Sequence, residues 1–441
     1  MTLQAEAVGV FGPQATDMVA TTRPTLRACP GCDLFQIVPA MRPKQTARCP
    51  RCNTLLRRTS GDPTTTALAL SMAALGFLII GCSTNFMTVS TAGMYHSANM
   101  FSGPEGLRSH GLWELAIVVL FTTILAPVLK LCMTIYVLIG LRLQQPPLHL
   151  RKVFAWVEHL RPWSMVEVYL LGVAVAYVKL SDLVHIELGV GLYAIAALLV
   201  ATIAADSALD QQTVWEQIDR SVAPIADLDN PATPVASKAQ GAIGCHLCGL
   251  VSVPVGPGTC ECPRCGSHLH AREAGSIGRT WALLLASVIL YFPANYFPVL
   301  TVEQLGAGQP STILGGVQEL LLAGMYPLAG LVFFASVAVP VLKLIGLATL
   351  LISTQTHRAS HLRDRAVLYR IVNAVGRWSM VDIFMESILG ALVQFGSAVT
   401  IDPGIGAIAF AGVVIVTMFA AEGFDPRLMW DAAKQVPGES S

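Results

Sequence analysis

The chain is expected to fold as a mainly α-helical, polytopic membrane protein. Two repeated four-helix transmembrane modules are predicted, each preceded by a small cysteine-bearing ribbon domain on the cytoplasmic side. Three observations predict this. Of 441 residues, 54% are hydrophobic and 13% charged, against about 25% charged in a typical soluble domain. Two cysteine quartets each precede an apolar region of about 150 residues. The two apolar regions repeat each other's landmarks about 213 residues apart. The net charge of zero gives no reason to expect a nucleic-acid partner.

Residues 1–28 form a polar tail without the apolar core of a signal peptide. The first long apolar run, near Ala67, is therefore expected to act as an uncleaved anchor. Arg42, Lys44, Arg48, Arg51, Arg57 and Arg58 precede it and place that end in the cytoplasm, because basic residues are retained there.

Next comes a ribbon over 29–58, with Cys29, Cys32, Cys49 and Cys52 in two CxxC pairs 16 residues apart. A second ribbon, over 243–272, has Cys245, Cys248, Cys262 and Cys265 in pairs 13 residues apart. Each CxxC brings two thiolates to one tight turn, and two such turns complete a tetrahedral sulfur site. Cytoplasmic thiols stay reduced, so metal is a better reading than disulfides. Four thiolates leave no open position for catalysis, so the expected cofactor is structural zinc (Zn) at two sites. Iron, as in rubredoxin, is the alternative, since ligand type alone does not select the metal. Cys260 is expected to be a spare. Cys82 and Cys132 fall within spans and are expected to be small buried apolar residues.

A spanning helix needs about 20 apolar residues. Eight spans are expected, at roughly 67–89, 113–141, 163–184, 187–206, 280–301, 315–353, 377–400 and 404–422. Four fall in a first module over 66–222 and four in a second over 279–432. A Pro- and Ala-rich linker over 223–242 separates the halves, and a tail over 433–441 ends the chain. Loop 142–162 carries Arg142, Arg151, Lys152 and Arg161, and loop 354–376 carries Arg358, Arg363, Arg365 and Arg370. Both are therefore predicted to be cytoplasmic, whereas loops 90–112 and 302–314 have one basic residue and none. Both termini and both ribbons then lie on the cytoplasmic side.

The repeat extends to single residues. Pro127-Val128-Leu129-Lys130-Leu131 answers Pro340-Val341-Leu342-Lys343-Leu344, and Trp163-Ser164-Met165-Val166-Glu167 answers Trp378-Ser379-Met380-Val381-Asp382. Ala205-Asp206 answers Ala421-Glu422. Each proline breaks a helix hydrogen bond, and Lys130 and Lys343 follow it one turn on as cations at membrane depth. The alternative is that each lysine reaches back to the interface.

Other ionisable groups inside spans are functional candidates for the same reason. Lys179 and Asp182 stand i,i+3 in the third span and can pair. The repeat sets them opposite Gln394 and Ser397, so the pair is not needed for the common fold. A carrier or gate for protons is one reading, and a surface ion pair at the outer interface is the other. Glu167 and Asp382 lie one turn inside the two Trp-Ser-Met-Val blocks. Ser336 and Thr417 extend a polar line through neighbouring spans, although such residues often bond their own helix backbone.

These motifs together resemble the paraquat-inducible protein A family, which includes the LetA-like proteins. The resemblance rests on the two CPxC-type ribbons, the PVLKL and WSMV blocks and the terminal run from Ala420 to Arg427, and covers Cys29 to Trp430. It implies a bacterial inner-membrane protein that loads or extracts phospholipid for a periplasmic mammalian-cell-entry (MCE) domain tunnel, with proton drive. By that resemblance Lys179, Asp182, Ser336, Ser379, Asp382 and Thr417 form a proton-linked polar network. The first half departs from the family's terminal run, with Asp210-Gln211-Gln212 where the second has Asp425-Pro426-Arg427. No phosphate-binding GxxxxGK[ST] loop and no nucleophile–base set are present, so an enzyme is not expected. The competing readings are an electron-transfer protein with iron in its CxxC sites and a passive membrane anchor for the MCE partner.

Overall fold

The computed structural model describes residues 25–91, 94–145, 147, 149–181, 185–222, 241–252, 261–304, 307–322, 324–358, 360–392 and 399–434. Most of the two tails and of the linker, Cys260, Asp182, Gln394 and Ser397 lie outside them.

The first ribbon is two hairpins, β1 (Thr25–Ala28) with β2 (Phe35–Val38) and β3 (Thr46–Arg48) with β4 (Leu55–Arg58). Helix α1 (Pro63–Ser83) then starts at Asp62, whose carboxylate accepts the Thr65 N–H at 3.3 Å, with proline in the first turn. Past it, β5 (Met87–Thr91) and β6 (Met94–Ala98) form a hairpin, and α2 (Ser102–Ser109) follows. One long helix comprises α3 (Trp113–Leu120), a π-turn (Phe121–Leu125) and α4 (Ala126–Gly140). The amphipathic α5 (Leu150–Leu160) buries Leu150, Phe154, Val157 and Leu160 at helical spacing. A 3₁₀ turn (Arg161–Trp163) leads to α6 (Val166–Ser181), β7 (His185–Leu188), α7 (Val190–Ala208) and α8 (Gln211–Val222).

The second half repeats this order. Short strands β8 (Ile243–Gly244) and β9 (Val251–Ser252) belong to the ribbon. Then come α9 (Ser276–Tyr296), β10 (Leu300–Gln304), β11 (Ala307–Ser311) and α10 (Ile313–Leu322). A long helix joins α11 (Tyr326–Phe333), a π-turn (Phe334–Ala338) and α12 (Val339–Gln355). It is followed by α13 (Leu362–Gly376), a 3₁₀ turn (Arg377–Met380), α14 (Val381–Leu392), β12 (Val399–Pro403), α15 (Ile405–Gly423) and α16 (Arg427–Lys434). Both π-turns stand immediately before the repeated proline segment. Proline has no N–H to give to the turn before it, and a wider turn takes up its ring.

Among the described residues, six helices are long and apolar enough to cross a membrane: Pro63–Ser83, Trp113–Gly140, Val190–Ala208, Ser276–Tyr296, Ala329–Gln355 and Ile405–Gly423. They correspond to six of the eight expected spans. In the third and seventh expected spans, 163–184 and 377–400, the described residues form the shorter helices α6 and α14. At 1.5 Å per residue the 16 residues of α6 reach about 24 Å, less than the ~30 Å bilayer core. Helix α14 is buried along nearly its whole length, and α6 buries the face that meets it while Tyr177 and Val178 stay exposed near its end. The sixth expected span, 315–353, is broken into α10 and the long helix from Tyr326. Gly324 takes φ 77°, and Pro327 begins the next helix.

Strands were not expected outside the ribbons. The loops opposite the ribbons nevertheless form two antiparallel sheets of the same order, β6-β5-β7 and β11-β10-β12. Val89 faces Ile186 in one, and Val302 faces Ile401 in the other. Each strand before a half's last long helix, α7 or α15, thereby ties to the hairpin after its first helix. Glu187 lies on β7, so it precedes the fourth span rather than beginning it. Cys82 is half-buried beside Met100, while Cys132 is exposed on α4, contrary to the expected burial.

One apolar core joins the halves, with α6 facing α14 at its centre. Tyr169 meets Phe384 edge-on with ring centroids 5.8 Å apart. A β-carbon on Gly172 would stand 2.9 Å from Phe384 Cβ, so that helix pair can close only on a glycine.

Candidate functional site

The eight CxxC cysteines are all buried, in two groups whose sulfur atoms lie within 4.8 Å of one another. In the first, Cys29 and Cys52 Sγ are 3.4 Å apart, and Cys32 and Cys49 are 3.6 Å apart. In the second, Cys245 and Cys265 are 3.6 Å apart, and Cys248 and Cys262 are 3.5 Å apart. A tetrahedron with metal–sulfur bonds of 2.3 Å has sulfurs about 3.8 Å apart, so a metal ion fits both groups.

Every knuckle is built alike. The N–H groups of Asp33, Asn53, Gly249 and Gly266 each donate to the carbonyl of the cysteine four residues earlier, at 2.8 to 3.0 Å. All four take positive φ, from 57° to 75°, which suits Gly, Asn and Asp. A bound ion would hold two knuckles of each ribbon together.

Each ribbon touches both halves. The first ribbon's cysteines pack with Leu347, Leu351, Phe424 and Trp430 of the second module. Arg51 stands 4.2 Å over the Trp430 ring, and Arg370 donates to the Asn53 carbonyl at 3.0 Å. The second ribbon's cysteines pack with Phe154, Trp215 and Ile218 of the first module, and Arg264 meets Asp219 at 2.8 Å. Each ribbon also sends an arginine to the last helix of its own half. Arg57 reaches Glu216 at 2.8 Å and Asp210 at 3.4 Å. Arg272 reaches Asp431 at 2.5 Å, and Asp33 of the other ribbon at 2.9 Å.

The buried Arg27 donates to Gln212 at the ribbon junction. Burial pushes its guanidinium down to about 10, and the like charges of Arg57 and Arg264 add to this.

This geometry accounts for the departure in the terminal run. Asp425 is clamped by Arg427 of its own turn, Nε to Oδ1 at 2.9 Å and Nη2 to Oδ2 at 2.9 Å. Burial opposes its charge, but the hydrogen bonds and charge of Arg427 hold its carboxyl below the usual range. The first half lacks that arginine, and Arg57 of the ribbon supplies the cation to Asp210 instead.

Within the membrane the repeated lysines differ. Lys130 Nζ stands 2.7 Å from Asp206 Oδ2, with Arg161 Nη2 3.6 Å from the other oxygen of the same carboxylate. The space left beside this pair is about 10 Å³. Lys343 is buried and donates to Thr417 Oγ1 at 2.9 Å. It borders a cavity of about 340 Å³ that Glu422, the twin of Asp206, also lines.

Helix α14 carries the densest buried polar set. Ser379, Asp382, Glu386 and Ser387 are all buried at its start and along it. The Ser379 hydroxyl makes no hydrogen bond among the described residues. The π-turn bearing Ser336 packs against both α14 and the 3₁₀ turn bearing Ser379, and Ser336 donates to the Val332 carbonyl at 2.7 Å. The structure thus gathers Ser336, Ser379 and Asp382 around α14 and joins Thr417 to Lys343. Glu167, half-buried at the start of α6, is in the other half. The Lys179 side chain and Asp182 lie outside the described residues. Glu386 was not singled out from sequence. Its signal was available, as an acid four residues after Asp382 in an apolar run.

A model of the family paraquat-inducible protein A matches residues 64–219 and 277–434, one stretch in each half. Intermembrane transport protein PqiA of Escherichia coli (strain K12) is 34% identical over 415 residues, covering 94% of this chain and 97% of that protein. Lipophilic envelope-spanning tunnel protein A of the same organism is 33% identical over 404 residues, covering 92% and 91%. A probable intermembrane transport protein of Haemophilus influenzae is 26% identical over 412 residues, covering 91% and 95%. No solved structure gives a significant match.

Proposed function

The chain belongs to the paraquat-inducible protein A family, and on that premise we propose that this multi-pass membrane protein moves phospholipid within an intermembrane transport system. It works in the bacterial inner membrane, with both ribbons and both termini in the cytoplasm, where the arginine-rich loops belong. Its partner is a periplasmic MCE-domain tunnel, which it loads with phospholipid or from which it extracts it. The relatives' names, which speak of intermembrane transport and of an envelope-spanning tunnel, support this reading.

The observation that carries the mechanism is the buried polar set on α14. Asp382 and Glu386 are two ionisable groups on one helix face, at the seam between modules, beside Ser379 and Ser387. Protonating Asp382 removes a charge from that seam and alters the packing of α14 on α6, which moves lipid toward the partner. The metal is zinc and its role is to hold the ribbons across the two halves.

Purified protein in vesicles tests this. Lipid transfer should respond to a pH gradient and fall about a hundredfold, ~2.7 kcal/mol of barrier, in the double variant Asp382→Asn, Glu386→Gln. Transfer that ignores the gradient and survives the double substitution sinks the proton mechanism. A colourless protein with about two zinc ions per chain is expected from two closed thiolate sites; coloured, iron-loaded protein would favour electron transfer instead.

A further inference from the structure

Beneath the first ribbon a cavity of about 840 Å³ opens against the second module. Its floor is apolar, made by Leu283 of α9, Ala366 and Tyr369 of α13, and Phe419 and Phe424 at the end of α15. Its walls carry two guanidinium groups, Arg279 and Arg370, and the carboxylates of Glu273 and Glu422; His246 and a third carboxylate, Asp425, also line it, the latter already clamped by Arg427. Gly31 and Thr54 of the first ribbon close one side. The 340 Å³ cavity beside Lys343 shares Tyr369, Arg370 and Glu422 with it, and Arg161 and Pro162 of the first module bound its other wall. The two cavities therefore adjoin across Tyr369, Arg370 and Glu422, one facing the first ribbon and the other bordering the buried Lys343.

The chemistry of the walls selects the occupant. A simple anion would meet Glu273 and Glu422, and a simple cation would meet Arg279 and Arg370. A zwitterion satisfies both signs, with phosphate toward the arginines and ammonium toward the carboxylates. Arg370 gives only one of its N–H groups to Asn53, which leaves donors for a phosphate. The Arg279 side chain is 51% exposed in its pair with Glu273, a weak pair that a ligand can displace. The apolar floor requires hydrocarbon as well, and the size lies in the usual range for small-molecule sites.

We propose that these adjoining cavities are the entry site for a zwitterionic glycerophospholipid, its headgroup held under the first ribbon. The proposal rests on the lipid-transport reading and gives that reading a substrate class and a place. The first half offers no such room beside Lys130, where about 10 Å³ remains.

Calorimetric titration of the full-length protein in detergent tests it, with four probes. These are dihexanoyl phosphatidylethanolamine, dihexanoyl phosphatidylglycerol, glycerophosphoethanolamine and inorganic phosphate. Saturable binding is expected for the first, at least tenfold weaker binding for the other three, and a further tenfold loss of the first in Arg370→Glu. Arg279→Glu, on a half-exposed side chain, should weaken it severalfold and keeps the test alive if Arg370→Glu misfolds. Inorganic phosphate binding as tightly as the lipid would make this a free-anion site and overturn the proposal. Equal binding of both lipids, unchanged in Arg279→Glu, would overturn it too. Vesicle transfer separates the two readings. Transfer without specific binding refutes the entry site alone, and specific binding without transfer refutes the transport reading alone.

Discussion

The two halves hold the same lysine one turn past the π-turn of the same long helix and use it differently. In the first, Lys130 closes on Asp206 at 2.7 Å and the surrounding space is filled. In the second, Lys343 rests on a threonine hydroxyl, and Glu422, the twin of Asp206, lines a cavity of about 340 Å³ that Lys343 also borders. The same contrast recurs at the seam. The α6 side carries Glu167 at its half-buried start, while α14 carries Asp382 and Glu386 in a fully buried stretch. A duplicated fold lets one half keep its ion pair shut for stability while the other opens a cavity beside its lysine and buries acids along α14. The ribbons bind the halves to each other, because each knuckle packs on the module it does not precede.

The largest expected effect would break that last statement. Cys32→Ser should lower metal content from about two ions per chain to about one and loosen the second module. Cys248→Ser should do the same to the first. Metal in small thiolate sites contributes about 10–16 kcal/mol in isolated peptides, comparable to the whole stability of an ordinary domain. Limited proteolysis reads the direction, since the loop after α12 contains Arg358 and the loop after α4 contains Arg142. If each variant loosens only the module its ribbon precedes, the crossed packing is wrong.

Transport should then divide the seam. Against the hundredfold loss in the α14 double variant, Glu167→Gln should change vesicle transfer less than about twofold, ~0.4 kcal/mol. Equal losses would mean that both halves carry the proton-linked step.

A smaller effect sharpens the comparison at the ends of the halves. Asp425→Asn should cost about 2 kcal/mol at neutral pH, the size of a charged hydrogen-bond pair. Because Arg427 depresses the folded-state value of Asp425, its stabilisation is present above the unfolded value near 4 and is lost as pH falls through the lower folded value. The melting temperatures of wild type and variant should therefore converge in acid. A gap that persists there would mean that Asp425 acts through packing.

The smallest effect has opposite signs in the two halves. Lys130→Met should destabilise by about 1 kcal/mol. Breaking a buried pair costs about 3–5 kcal/mol, but the Asp206 side chain is 37% exposed and water screens it. Lys343→Met should be neutral or stabilising, since an apolar side chain of similar length replaces a buried cation. Thermal unfolding in detergent distinguishes these, and equal losses would show that Lys343 is paired as tightly as Lys130.

Local chemistry was legible residue by residue. The CxxC spacing gave both knuckle sets, and Asp33, Asn53, Gly249 and Gly266 stand where a positive φ is needed. The PVLKL repeat marked both irregular stretches, although not their π-turn form. The break in the sixth span had a signal in Gly324 and Pro327, overridden by the apolar residues on either side. The outer sheets were missed because strands of five residues in short loops leave little periodicity, although Met87-Thr88-Val89-Ser90-Thr91 alternates as a strand does. Glu386 has no acidic twin to mark it, since its counterpart under the offset of Asp382 with Glu167 is Leu171.

The sequence by itself determined six of the eight expected apolar segments as helices of spanning length, where thiolates come in pairs, and that the chain is a duplication. These depend on composition and on spacings of a few residues, which backbone geometry converts directly into turns and helix faces. Only the tertiary structure decided which ribbon rests on which module, which lysine is closed and which opens on a cavity, and that Arg57 stands in for the missing twin of Arg427. Those outcomes join residues as far apart as Asn53 and Arg370, 317 positions along the chain. No local rule reaches that far, because such contacts are set by how the helices pack and not by what any one of them contains.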